Sequence, residues 1–502
     1  MSITLGIDLG TSSVKAMLLD TEKDILGVAS KGYAVDITRS GYAEQSPSMW
    51  WESTLDVMGQ LREQHPADFE KIEAVGLSGQ MHGLVVIDKD GKTLRPAILW
   101  LDQRSGKQAK AVHDAFSLAT IGSMLHNRVF PGFAFCSLLW LKENEPALFD
   151  KIYSIMLPKD YIRYLLTGNI GSDFSDASAT GAFSPGQWRW SYELIDYFQI
   201  KRSIFPECGK SAEIAGFITG TAAKKTGLRP GTPVVFGGGD QPVQSIGNGL
   251  VYENALISNI GTGGQITCFS KTDLYDERLR THTFCHALPD AYTIFGATLS
   301  GGMSLNWLAG NLLHQNDYKA LDEGASEVPA GSCGLIYLPY LSGERTPHMD
   351  VHARGMFFGM TLGMDDRYFS RAVLEGVVYS LKDSLIVLQE MGISSNKIIA
   401  SGGGAASSLW LQMQADILGM DIQVSKVKEQ ACMGACILAA IGVGIYSNAE
   451  EACARHITFR DDLYRPNPEQ QAVYKKGYDV YCELYKRTSD LMHTVDAESQ
   501  NN

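Results

Sequence analysis

Three glycine-rich turns carry most of the chemistry this sequence offers: GIDLGTSS at 6–13, NIGTGGQ at 259–265 and SGGGAASS at 401–408. Glycine lets a backbone approach an anion and adopt positive φ angles at which successive N–H groups converge. Thr11, Ser12, Ser13 and Thr262 add hydroxyl donors. Each turn follows a run of strand-forming residues, and the third also opens a helix, whose amino end is positive. One such loop often ends a strand for purely structural reasons; three together point to a nucleotide. Asp8 and Asp240 close apolar strands beside glycines, in GIDLG and GGGDQ. A carboxylate so placed faces a cleft, where it can take a proton or hold a cation, or else it caps a turn.

Elements that would position these groups can be read on either side of them. ITLGIDLG and TSSVKAMLLD form a hairpin around the first turn, ILGVASKGYAV supplies a third strand, and PSMWWESTLDVMGQLREQ has the 3.6-residue spacing of a helix opening after Ser46-Pro47. IEAVGLSGQMHGLVVID reads as strand, glycine-rich bend, strand, and the sum is an α/β layer architecture. The second half repeats the theme: TPVVFGGGD runs into glycines and an aspartate, and NALISNIGTGGQITCFS is strand, turn, strand. Gly261-Thr262-Gly263 lies half a chain length after Gly10-Thr11-Ser12, as two related sheets would require. SRAVLEGVVYSLKDSLIVLQEMG is a long helix ending at Gly392, and KIIASGGGAASSLWLQMQADILG is strand, glycine loop, helix. The tail DAESQNN is expected to fray.

The length of 502 residues implies two large domains with a cleft between them, divided here as 1–248 and 249–502. A net charge of -13 excludes nucleic acid or an anionic membrane as the partner surface. No targeting segment or membrane span is apparent, and the expected location is the cytoplasm. Nine cysteines without a CxxC pair read as thiols in a reducing compartment; Cys432 and Cys436 fall one helical turn apart as small packing residues.

There is no GxxxxGK[ST] loop and no GxGxxG opening a helix from a first strand. What remains resembles the ribonuclease-H-like ATPase fold of actin, hexokinase and Hsp70, two domains clasping phosphates between facing hairpins. Within it the chain resembles the FGGY family of sugar kinases over nearly its whole length. The resemblance rests on GIDLGTSSVKAMLLD, GLSGQMHGLVVID at 76–88, RPAILWLDQR at 95–104, LPKDYIRYLLTG at 157–168, GGGDQ at 237–241, FCHALP at 284–289, PYLSGERTPHMD at 339–350 and SGGGAASSLWLQMQADI at 401–417.

Position by position, the resemblance implies that Asp240 is the catalytic base and that Asp8 organises Mg2+. It places Gln80, Met81, His82, Asp102 and Gln241 at the sugar, with Gly10, Thr11, Ser12, Lys15, Gly261 and Thr262 near the phosphates of ATP. Gly302, Gly403, Gly404 and Ser408 would lie on the rest of the nucleotide. Alternatives stand beside several of these: His82 as an ordinary satisfied histidine, Lys15 as a solvated strand residue, Asp102 and Arg104 as an ion pair. Trp50 and Trp51 would wall the sugar or belong to the core, and Glu344 and Arg345 read as an internal ion pair holding a loop. The implied reaction is ATP-dependent phosphorylation of a ketopentose, D-xylulose to D-xylulose 5-phosphate, by a homodimer. Leu101 and Gln241 stand where many xylulose-phosphorylating members carry asparagine, and Ser408 replaces an asparagine of glycerol kinases. Those departures keep another ketose or a polyol, ribulose or glycerol, open as substrate. A non-catalytic sugar sensor is a reading of a different class, and the paired aspartates with three phosphate-type loops disfavour it.

Overall fold

In the computed structural model, which describes residues 2–499, the first strand β1 (Ile3–Leu9) has nearly every residue buried. A strand covered on both faces reads as a continuous apolar run. It pairs antiparallel with β2 (Ser13–Asp20), which pairs antiparallel with β3 (Ile25–Gly32). Helix α1 (Pro47–Gln64), opened by Pro47 in its first turn, returns the chain to β4 (Ile72–Gly79), parallel to β1. After a largely helical block that includes α2 (Pro158–Thr167), β5 (Ile214–Phe217) and β6 (Pro233–Val235) complete the sheet in the order β5-β6-β4-β1-β2-β3. Gly238–Gly239 pairs alongside the far end of β4, and Asp240 then begins α3 (Asp240–Gly247). The expected strand after the QMHG bend exists as Val85–Ile87, which leaves this sheet and pairs with Ser154–Met156.

The second sheet is built from β7 (Leu256–Ile260), β8 (Gly264–Ser270), β9 (His282–Cys285) and β10 (Tyr292–Thr298). Helix α4 (Asp366–Glu390) then leads to β11 (Lys397–Ser401), and α5 (Ser408–Leu418) to β12 (Asp421–Val424). The order is β9-β10-β8-β7-β11-β12. Three antiparallel strands followed by two parallel ones, β3-β2-β1-β4-β6, recur as β10-β8-β7-β11-β12. The likeness of the turns at Gly10 and Gly261 therefore reflects two sheets of one topology, a mixed α/β architecture with two sheet-containing lobes.

Helix α6 (Gln430–Gly442) crosses back from the second half onto the first sheet. A side chain on Gly6 would put its Cβ 2.2 Å from the carbonyl oxygen of Cys432, and one on Gly76 would lie 1.9 Å from that of Ala435. Where α3 and α6 cross, a Cβ on Gly434 would stand 2.0 Å from the Val243 carbonyl oxygen. The lobes are thus joined through backbone contacts that only glycine allows. Cys432 and Cys436 are buried at this seam, while Cys333 is exposed. The last helix, α7 (Pro468–Ser499), holds DAES in helical form, and Gln500–Asn502 lie outside the described residues. Among the described residues no helix is long and apolar enough to cross a membrane.

Candidate active site

Strand register places the two aspartates. Asp8 stands opposite Ser78 of β4, and Gly238 stands opposite the same serine on the other side. Two strand spacings of about 4.8 Å separate the backbones of Asp8 and Gly238 by roughly 10 Å, and Asp240 follows two residues on. Both side chains are half-buried rather than sealed in the core. Asp8 accepts a hydrogen bond of 2.8 Å from the Ser78 hydroxyl. Burial pushes its carboxyl above the ordinary range, opposed by that hydrogen bond and by the charge of Lys15. Asp240 is pushed up to about 7, chiefly by burial and then by the negative charge of Asp8, against the hydrogen bond from the Gln241 amide. Two partly desolvated, coupled carboxylates cannot both ionise freely, and the one poised near neutrality can exchange a proton at working pH.

Among the described residues no group of three or more His, Cys, Asp or Glu is placed to hold a metal ion. Asp8 offers carboxylate oxygen alone, the donor set of Mg2+ when the ion keeps its waters and takes other ligands from phosphates. The residues present fit magnesium brought with a nucleotide. Lys15 faces Asp8 across the β1-β2 ladder, and its ammonium pairs with Glu429 at 2.6 Å, so it is neither free nor merely solvated. Gly10 closes the turn by donating its N–H to the Ser13 carbonyl at 2.9 Å, and Ser12 is exposed at its tip. The Thr11 hydroxyl accepts from Trp100 Nε1 at 2.9 Å.

The residues expected at the sugar lie in different surroundings. Gln80 is buried, and its Nε2 donates to Gln45 Oε1 at 3.3 Å, leaving its own Oε1 without a partner. Met81 packs under Gly239, where a Cβ would come within 2.7 Å of its side chain. His82 adopts φ 69°, stacks on Phe133 with ring centroids 4.3 Å apart, and contacts the Ala179 carbonyl through Nδ1 at 2.6 Å. Burial holds its pKa down at about 4, so the ring is neutral. With Nδ1–H donated to that carbonyl, Nε2 is an acceptor. Gln241 is half-buried directly after Asp240. Asp102 is fully buried; both its oxygens are taken by Arg104 and by the Ala43 amide at 2.7 Å. The ion-pair alternative therefore describes Asp102 and the sugar contact does not. Trp50 is likewise core, fully buried with Nε1 on Gln45 at 2.9 Å. The exposed indole beside the turn belongs to Trp100, which the sequence reading passed over although it follows an apolar strand as Asp102 does. Glu344 and Arg345 form no ion pair. The Glu344 carboxylate accepts the amides of Leu299 and Arg345, and the Arg345 guanidinium lies 5.4 Å over the Phe130 ring.

The second lobe holds a cavity of about 480 Å³ lined by Gly261, Thr262, Gly302, Gly403 and Gly404. This volume suits a nucleoside-sized ligand. The glycines meet there because β7, the short helix Gly302–Trp307 and the loop after β11 converge, with the Gly302 amide donating to the Gly261 carbonyl at 2.8 Å. Ser408 is not part of this wall: it is exposed and its hydroxyl bonds Tyr464 at 3.1 Å. Ser407 lines the cavity instead, capping α5 through the Trp410 amide and donating to Asp322, another lining residue. The shift is one residue, set by which serine occupies the cap.

Two lobes of one topology, a half-buried acid near neutrality at the end of a glycine loop and a nucleoside-sized cavity beside glycine turns describe a phosphotransferase of the ATP-grasping hairpin class. Family models agree: residues 3–247 match the N-terminal domain and residues 256–443 the C-terminal domain of the FGGY family of carbohydrate kinases. The chain belongs to that family and is a sugar kinase that uses ATP. It is 37% identical over 492 residues, 97% of each chain, to the xylulose kinase of Staphylococcus epidermidis. It is 30% identical to the gluconokinase of Bacillus subtilis over 88% of each chain. The crystal structure of xylulose kinase from Rhodospirillum rubrum superposes with a TM-score of 0.91 at 28% identity, covering 98% of this chain and 100% of that one.

Proposed function

We propose that this kinase phosphorylates D-xylulose to D-xylulose 5-phosphate, the sugar lying on the 1–248 side of the cleft and the nucleotide on the 249–502 side. The observation that carries the reading is Asp240, half-buried, beside Asp8, with a carboxyl at about 7. Its carboxylate accepts the proton of the sugar's terminal hydroxyl as that oxygen attacks the γ-phosphorus; the bond to the bridging oxygen breaks, ADP leaves, and the proton stays on Asp240 until solvent takes it. Little covalent work falls to the protein, so positioning and charge stabilisation supply most of the rate. Asp8 would hold magnesium brought with the nucleotide, and that ion would supply neutralisation of charge on the phosphate oxygens. The turns at Gly10–Ser12 and Gly261–Thr262 present donors to those oxygens, and neutral His82 with Gln80 orients sugar hydroxyls. The near-full-length likeness to proteins named xylulose kinase supports the choice of sugar.

A second reading within the same chemistry is favoured by Leu101 and Gln241 and by the likeness to a gluconokinase: another ketose, a polyol or a sugar acid as acceptor. Coupled ADP release with xylulose, ribulose, glycerol and gluconate decides between them. The xylulose reading expects the highest kcat/KM with xylulose; a higher value with any other acceptor overturns it, and no turnover with any would favour a sensor.

A further inference from the structure

The loop that ends in Asp240 is pinned from two sides. On one, Gly238 and Gly239 pair in register with Ser78 and Gly79 of β4. On the other, the Gly239 amide, one residue before the aspartate, donates to the Ser175 hydroxyl at 3.1 Å. That hydroxyl in turn donates to Oδ2 of Asp173, which also accepts the Ser175 amide at 2.8 Å and the Ser211 hydroxyl at 3.1 Å. Ser211 holds the start of the same loop, its carbonyl accepting the Gly237 amide at 2.9 Å. Oδ1 of Asp173 is ion-paired with Lys159 at 2.8 Å, and Lys159 also pairs with Asp160 at 2.7 Å and Asp176 at 3.3 Å. None of these four ionisable side chains reaches solvent. A buried charge knot is poor value as a stabiliser, because well-packed apolar residues would serve as well or better. What it does supply is a single fixed position for each atom, and a Cβ on Gly238 would collide with Ser175 Oγ at 2.9 Å, so the serine packs directly against this loop.

We infer that Ser175, fixed by Asp173 and Lys159, is a positioning residue for Asp240, acting through the Gly239 amide. The inference rests on the reading of Asp240 as the base. A general base must lie within hydrogen-bond reach of the proton it takes, and a displacement of about 1 Å can cost up to a hundredfold in rate. Ser175 is fully buried and its hydroxyl is engaged by the Gly239 amide and Asp173, so its loss is expected to leave binding unchanged.

The test compares Ser175→Ala, Ser175→Cys and Asp240→Asn with the unaltered enzyme in steady-state kinetics, with Ser178→Ala as control. Ser178 shares the helix Phe174–Ser178; its hydroxyl donates to the Ser175 carbonyl at 2.7 Å and accepts the Cys285 amide at 3.0 Å, but it makes no bond to the Ser175 hydroxyl or to the Asp240 loop, so its loss controls for disturbance of the helix alone. Expected is a fall in kcat of about tenfold or more for Ser175→Ala with both KM values within threefold, a smaller fall for Ser175→Cys, and an unchanged kcat for Ser178→Ala. A Ser175→Ala enzyme with full kcat beside an inactive Asp240→Asn overturns this inference alone, as does a kcat loss matched by Ser178→Ala. An active Asp240→Asn overturns the base assignment and the inference together. Should Ser175→Ala fail to fold, Ser175→Cys, which keeps the volume, carries the comparison, and a normal kcat in it overturns the proposal.

Discussion

The state of Asp240 sets the pH behaviour of the enzyme. Burial and the charge of Asp8 push its carboxyl up to about 7, so on the proposed reading the base is competent above that pH and protonated below it. The profile of kcat/KM against pH is therefore expected to have an acid limb near 7, and a limb near 4 in the same assay would mean an unperturbed carboxylate. The same shift has a stability consequence of opposite sense. A carboxyl whose folded pKa is raised binds its proton more tightly in the native state, so the fold loses stability as pH rises from about 4 through 7. Asp240→Asn removes the cost of holding that charge beside Asp8. Its melting temperature should exceed that of the unaltered enzyme by a few degrees at pH 8 and converge on it only below about pH 4. Asp240, Asp8 and the glycine turns were legible in the sequence because each is a local pattern, an apolar run meeting glycine. For Asp102 the ion pair with Arg104 was legible as one of two alternatives, but the Ala43 amide that settles its burial is supplied only by the fold. The choice between Ser407 and Ser408 turned on a helix cap that composition does not fix.

At the scale of elements, β1, β2, β3, α1 and β4 emerge from the sequence because strand alternation and helical spacing are strong there, and Pro47 marks a helix start. The helical block between Ile87 and Ile214 gave no comparable signal, and its role in bracing the Asp240 loop through α2 and Ser175 appears only in three dimensions. The return of α6 onto the first sheet was equally hidden, since a run of Gly, Ala and Cys says that a helix packs closely but not against what. That packing makes a definite expectation. Gly434→Ala drives a Cβ to within 2.0 Å of the Val243 backbone and should destabilise the protein by about 3 kcal/mol in urea unfolding. Gly59→Ala, inside α1 with nothing within 4 Å of its Cβ, should stabilise it by about 0.5–1 kcal/mol. Equal midpoints for the two variants would contradict this account of the lobe junction.

For the whole molecule, two sheets of one topology carry Asp240 on one lobe and the nucleoside-sized cavity on the other, and the proposed transfer between them is expected to bring the lobes together. Phosphoryl transfer in such a cleft is protected from water only when both ligands are in place. Small-angle scattering with xylulose and a non-hydrolysable ATP analogue should therefore give a smaller radius of gyration than either ligand alone; identical radii would argue for a preformed site. The most direct measurement is single-turnover transfer of the γ-phosphate from Mg-ATP to xylulose by Asp240→Asn. The expected result is a rate at least about a thousandfold below that of the unaltered enzyme, with xylulose still bound at comparable affinity. A rate within tenfold of the unaltered enzyme would contradict the assignment of Asp240 as the proton acceptor.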